Sequence, residues 1–340
     1  MTPRERVLAT LEFANPDRAP RDLWALPWVS FDRPDDLKAL LAKYPTDFMG
    51  VSVLGKADKA VGEFGRMPGC TDEWGCRFEL AEDGVVGEVK HPPLADWSAL
   101  AKLKPPMEMI QRGGVDKANQ ACQENLAGAK KWVNCGATLR PFERIQFLRG
   151  SENLYLDLGY ETAELRKLLE MVHDFYLREL ELVLKSDCDG VVYMDDWGSQ
   201  QALLISPAQW RSIFKPLYKQ YNDMIHKAGK KVFFHSDGHI AAIYPDLIEI
   251  GVDAQNSQLF CMDMEELGRK YRGKITFWGE IDRQHVMPTN DVPTVQAAVR
   301  RVRKALDDGR GGVIAQCEWG KNVNREAVEA VYATWDEGRT

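Results

Sequence analysis

No CxxC pair occurs in this chain, and its seven cysteines (Cys70, Cys76, Cys122, Cys135, Cys188, Cys261 and Cys317) are odd in number and scattered. Such spacing indicates neither a zinc ribbon nor a disulfide framework, so most are expected as small buried hydrophobes. No apolar run approaches the ~20 residues of a membrane span, and the opening MTPRERVLATLEF lacks the apolar core of a signal segment. Basic blocks of five or more residues are missing, and the formal net charge is −7. Both argue against a nucleic-acid groove, which needs a local excess of Lys and Arg to neutralise phosphate. Neither GxGxxG nor GxxxxGK followed by Ser or Thr is present, which removes two glycine signatures of nucleotide binding. No repeat of 20–50 residues is evident. These absences lead to the expectation of a cytoplasmic protein with no membrane or nucleic-acid partner.

What is present is core material: 340 residues, 44% hydrophobic and 10% aromatic. Thr2, Pro3 and Glu5 stand at cap, N1 and N3 positions, and Val7, Leu8, Leu11 and Phe13 supply the apolar face of a first helix. Short apolar runs then alternate with helical periodicity, giving strand candidates near residues 22, 50, 133, 191, 233, 255, 276 and 314. Eight parallel strands alternating with helices is the count of a (β/α)8 TIM barrel, an α/β fold that this length fills as one domain, residues 1–340. A doubly wound open sheet is the alternative. Residues 71–97 break the rhythm: alternating runs interrupted by Asp83-Gly84 and Gly87 predict two short antiparallel strands, an insertion on the barrel.

The stretch from Lys230 to Ile240, KKVFFHSDGHI, draws the most attention. Val232-Phe233-Phe234 reads as a buried strand, and His235, Asp237 and His239 follow at alternate positions just past its carboxyl end. Ligands and catalytic groups collect at such exits in α/β barrels. A second reading stands beside this one, in which Ser236 or Asp237 is the N-cap of a helix through Ala241, Ala242 and Leu247. Other exits carry polar groups as well: Asp195, Asp196, Trp197 and Gln200; Asn256 and Gln258; Glu280 and Asp282; Cys317 and Glu318. His235, Asp237 and Cys317 together offer a nitrogen, an oxygen and a sulfur, a donor set that suits Zn2+ with one position open. Asp195 and Asp196 are adjacent, so on a strand at most one faces the cavity, and the other orients a loop or caps a helix. Trp24, Trp28, Trp197 and Trp278 are candidates for an apolar mouth, and Arg140 for contact with an anionic substrate or with solvent.

Several longer segments together are more specific: RERVLATLEFANPDRAP, CGATLRPFERIQFLRGSENLYLDL, VVYMDDWGSQQALLISPAQWRSIFKPLYKQ, FFHSDGHI and ITFWGEIDRQHV. In this order they resemble the uroporphyrinogen decarboxylase superfamily, whose members are (β/α)8 barrels. The decarboxylases themselves carry an RQAGRY segment after the first strand and a last-strand NLGHG; here these regions read RDLWALPWVS and AQCEWG, with Trp319 where the functional His would fall. The corrinoid-linked methyltransferase branch is the other possibility. Its members bind zinc through His-x-Cys after one strand and a Cys on the last. His235 and Cys317 match the outer ligands, while Asp237 stands in place of the middle Cys. A carboxylate makes a harder site, suited to a Lewis acid acting on an ether oxygen. The resemblance thus implies an O-demethylating methyltransferase. His235, Asp237 and Cys317 would hold zinc, and Asp195, Glu280 or His239 would serve as fourth ligand or general acid. Asp196 would join the catalytic groups, while Trp24, Trp28, Arg140, Trp197, Gln200 and Trp278 would surround a small methoxylated, aromatic substrate. The methyl group would pass to a cobamide on a separate corrinoid protein. The competing expectation is a metal-free lyase acting on a carboxylated substrate through Arg140, Asp196 and His235.

Overall fold

The computed structural model describes residues 1–85 and 87–338. Thr2 opens the first helix, Pro3–Leu11, with a complete capping box: its hydroxyl accepts the Glu5 N–H, and the Glu5 carboxylate accepts the Thr2 N–H. Arg6 on this helix reaches Asp17 and the buried Asp47, each at 2.6 Å, fixing the helix beneath the sheet.

Among the described residues, eleven strands follow in two sheets. The first sheet contains β1 (Arg21–Ala25), β2 (Phe48–Val51), β6 (Trp132–Gly136), β7 (Gly190–Met194), β8 (Lys231–His235), β9 (Ala254–Asn256), β10 (Thr276–Trp278) and β11 (Val313–Trp319). The second contains β3 (Gly69–Thr71), β4 (Arg77–Glu79) and β5 (Glu88–Val89). The first runs in the order β1-β11-β10-β9-β8-β7-β6-β2, with parallel pairing throughout. This is the eight-stranded barrel that the apolar runs predict, strand for strand. Its two ends, β1 and β2, meet through the Asp47 N–H on the Arg21 carbonyl (2.9 Å) and the Arg21 N–H on the Asp47 carboxylate (2.6 Å).

Alternation along each strand divides the wall into an inner and an outer surface. Phe48, Trp132, Phe233, Ala254, Trp278 and Ile314 fill the barrel interior. The larger apolar cluster lies between strands and surrounding helices and takes in Val313, Ala315, Cys317 and Trp319 of β11. Among the described residues, no helix is long and apolar enough to cross a membrane.

The insertion begins earlier than residue 71 and has three antiparallel strands, not two, because Gly69–Thr71 adds a strand beside the Arg77–Glu79 one. Val86, within the expected turn region, lies outside the described residues. A buried ion pair anchors the insertion: Arg144 donates to Asp72 (2.5 Å) and to Glu73. Asp72 in turn accepts the N–H groups of Trp74 (3.0 Å) and Cys76 (2.8 Å). The insertion leans over the strand exits, where Gly84 packs on Trp28 and Glu82 pairs with Lys321 at 2.6 Å.

Candidate metal centre

β8 ends at His235, 6% exposed, with its ring turned into the mouth of the barrel beside Trp24, 4.9 Å between centroids. Asn256, at the end of β9, fixes this ring. Its amide NH2 donates to the Trp278 carbonyl (2.5 Å), so its oxygen faces His235 Nδ1 at 2.6 Å. Nδ1 therefore carries a ring proton, and Nε2 is the nitrogen whose lone pair is left for a ligand. Two carboxylates face that lone pair: Asp196 at 3.5 Å and Asp237 at 3.6 Å.

Three electron-rich atoms pointing at one another repel unless something positive lies between them. A proton on Nε2 leaves both contacts beyond the 3.2 Å limit of a good N–H···O bond. Tetrahedral ligands at the usual Zn–N and Zn–O distances stand about 3.4 Å apart, close to what is observed here. Asp196, His235 and Asp237 offer ligand atoms all within 4.8 Å of one another. The buried Oδ1 of Asp237, which faces His235, has no hydrogen-bond partner among the described residues. The donor set of one nitrogen and two oxygens therefore fits a divalent metal ion.

Backbone contacts set the spacing of the two carboxylates. The Asp237 N–H donates to the Asp196 carboxylate (2.8 Å), and the Gly198 N–H donates to the Asp237 carbonyl (3.0 Å). At this crossing a Cβ on Gly238 would lie 2.1 Å from the Gly198 oxygen, so the two loops touch through glycine alone. Arg283, after β10, holds the other oxygen of Asp237 and also pairs with Glu318 (3.0 Å). Glu280 is 2% exposed and lies 4.0 Å from Arg283. Burial holds its carboxyl well above the usual range, the charges of Asp237, Glu318 and Asp282 add to this, and Arg283 opposes it.

The expected ligand Cys317 is not brought to this cluster. It is fully buried on the outer surface of β11, with Sγ 3.9 Å from the Tyr332 hydroxyl, and burial pushes its thiol up to about 12. The cause is the strand's alternation: Glu318, one residue on, is the side chain that turns inward to Arg283. Asp195 also faces outward. Its carboxylate accepts the N–H groups of Phe142 and Glu143 (both 2.8 Å) and the Tyr218 hydroxyl (2.5 Å), capping the Pro141–Arg149 helix. Burial raises Asp195 to about 7.

Trp197 shares that outer side and lines no mouth. It stacks on Phe142 at 4.2 Å and donates to the Tyr218 oxygen at 3.0 Å. Trp278 fills the barrel interior and donates to Asp22 (2.8 Å). Trp24 and Trp28 remain half-buried at the mouth, and His239 is half-buried with its N–H on the Ser199 carbonyl (2.7 Å). Arg140 makes no side-chain hydrogen bond or ion pair among the described residues. Gln200 lines a cavity of about 260 Å3 that shares Glu280 and Arg283 with the site.

Three contributors had no sequence-based role: Arg283, Asn256 and Glu143. Glu143 is pushed to about 8, chiefly by burial and then by Asp196. Asn256 and Gln258 at alternate positions after β9 were the available signal for a second polar exit. For Arg283 the signal was a lone cation after Glu280 and Asp282.

The family model described as uroporphyrinogen decarboxylase (URO-D) matches residues 60–337. Among solved structures, the chain is similar to a methyltransferase from Methanosarcina mazei at TM-score 0.73 and 14% identity, covering 99% of each chain. A chitinase from Chromobacterium violaceum aligns at TM-score 0.43 and 10% identity over 94% of this chain and 100% of that one. No match is found among curated proteins.

Proposed function

Because the chain belongs to the uroporphyrinogen decarboxylase family, we propose that it is a zinc-dependent methyltransferase of the O-demethylating type. It takes a small methoxylated substrate and passes the methyl group to a cobamide on a separate corrinoid protein. The observation that carries this reading is the His235 lone pair set against the Asp196 and Asp237 carboxylates. Similarity in fold to a methyltransferase supports it.

Asp196, His235 and Asp237 would hold the metal, which would supply Lewis-acid polarisation of an ether oxygen. The acceptor would be the cobalt(I) centre of the partner's cobamide, whose electron pair would form the new bond to the methyl carbon as it leaves that oxygen. The electron pair of the broken C–O bond stays on oxygen, which then takes a proton. Glu280 is the group placed to supply that proton, since burial holds its carboxyl well above the ordinary range. Asn256 keeps the His235 ring in register, and Arg283 directs the free oxygen of Asp237 towards it. A metal-free lyase would need an available cation for a substrate carboxylate; Arg283 is already occupied by Asp237 and Glu318, which leaves Arg140 as the cation that reading would use.

Purified protein should bind one equivalent of zinc and methylate cob(I)alamin, seen as an absorbance change, when given a suitable methyl ether. His235→Ala should lower zinc affinity by more than about 100-fold, beyond the 10–100-fold typical of outer-shell changes. Zinc-free protein together with an active His235→Ala variant would sink the reading.

A further inference from the structure

The cavity beside Arg283 measures about 260 Å3, below the ~300–1,000 Å3 of pockets for drug-sized ligands. Four glutamines stand in its wall: Gln200, Gln201, Gln258 and Gln284. The side-chain amides of Gln200, Gln201 and Gln284 make no hydrogen bond among the described residues. Gln258 commits only its oxygen, to the Gly238 N–H at 2.8 Å, and keeps its NH2 group. The wall's guanidinium, Arg283, is tied to Asp237 and Glu318. Arg140, which has no ion-pair partner among the described residues, belongs to the β6 exit and not to this wall. Phe260 and His285 are the ring side chains in the lining.

With Arg283 tied to Asp237 and Glu318, and His285 facing Asp282 at 3.3 Å, such a wall offers no unpaired cation for an anionic ligand. It offers donors and acceptors together, because each amide carries two N–H donors and one carbonyl acceptor. A hydroxyl group, donor and acceptor at once, satisfies both. The orphaned, buried Oε2 of Glu280 adds one more group able to bond a hydroxyl.

We propose that the cavity takes a small, uncharged, polyhydroxylated methyl donor, an O-methylated polyol or sugar. This class rests on the methyl-transfer reading above and replaces the aromatic donor that the tryptophans suggest in the sequence. The geometry agrees with the change: Trp197 and Trp278 are committed elsewhere, and Trp24 and Trp28, at the mouth, do not line this cavity.

The test is calorimetric titration of the zinc-loaded full chain with mono-O-methyl inositol, 3-methoxybenzoate and tetramethylammonium. The methylated polyol should bind about tenfold or more tightly than either of the others, one lost hydrogen-bonding pair being worth roughly that factor. The double variant Gln200→Ala, Gln284→Ala changes two side chains at the mouth and should melt where the wild type does. It should bind the polyol about tenfold more weakly, with zinc affinity by chelator competition unchanged. Tighter binding of the methoxybenzoate or of the ammonium ion overturns the proposal, as does unaltered polyol binding by the double variant. The zinc titration keeps the two levels apart. A chain that takes up no zinc defeats the metal-dependent reading, while polyol binding by that same sample still decides the substrate class.

Discussion

Asp195 and Asp196 are joined by one peptide bond and stand on opposite sides of the barrel wall. Outside, Asp195 has its oxygens taken up by two backbone N–H groups and a phenol. Inside, Asp196 and Asp237 aim at a histidine lone pair, and one Asp237 oxygen bonds nothing among the described residues. Cys317 and Glu318 repeat the contrast on β11, the thiol packed against Tyr332 and the carboxylate turned to Arg283. Burial alone does not separate the two regions, since His235 inside and Asp195 outside are both buried, although the Asp196 carboxylate is partly exposed. Spare bonding capacity does. Polar groups outside the wall complete the fold, and those inside keep something in reserve.

The adjacent aspartates offer the most direct way to break this comparison. Asp195→Ala should cost about 2–4 kcal/mol in denaturant unfolding, because it orphans two buried N–H groups and removes charge from a helix N-terminus. Asp196→Ala should cost less, about 0.5–1.5 kcal/mol, since the one hydrogen bond it removes is that from the Asp237 N–H. Its zinc affinity should nevertheless drop by more than about 100-fold, beyond the range for outer-shell changes. Equal stability losses from the two variants would dissolve the distinction.

Glu179 sharpens the outer side. Its oxygens accept the Thr138 N–H and hydroxyl, both at 2.5 Å, and burial raises it from the ordinary 4.5 to about 7. Below pH 4.5 both folded and unfolded chains hold this proton, and the group's favourable contribution is complete. As pH rises towards 7 the unfolded chain loses the proton first, so stability falls. Glu179→Gln should flatten that fall by about 1–3 kcal/mol, read as melting temperature against pH.

The smallest effect is expected at Cys317. Replacement by Ala should leave zinc stoichiometry unchanged and cost about 1 kcal/mol for the lost sulfur packing. Loss of zinc on that substitution would return Cys317 to the metal and move β11 by one residue.

Much of this organisation was legible in the amino-acid order. Each barrel strand is an apolar run with polar ends, and Val232-Phe233-Phe234 needs no partner to be read as buried. The rule that adjacent strand residues part company was applied to Asp195 and Asp196, and that is how they lie. The same rule on β11 separates Cys317 from Glu318, but which of the two turns inward depends on the barrel's tilt and closure. Asn256 and Arg283 stayed hidden for a different reason. Their roles arise where the ends of separate strands meet, 21 residues from His235 for Asn256 and 46 from Asp237 for Arg283, and no local period records such a meeting.

The glycine crossing between the β7 and β8 loops behaves like a caliper closed to its stop. Its jaws are the bare backbones at Gly198 and Gly238, where no methyl group fits, and the Asp196 and Asp237 carboxylates ride on them. Residues farther along the β7 loop, such as the exposed Gln200 and Gln201, have room to vary. A single alanine at either jaw would instead open the gap between the two carboxylates, so positions without a side chain constrain descendants of this protein as tightly as those that would grip the ion.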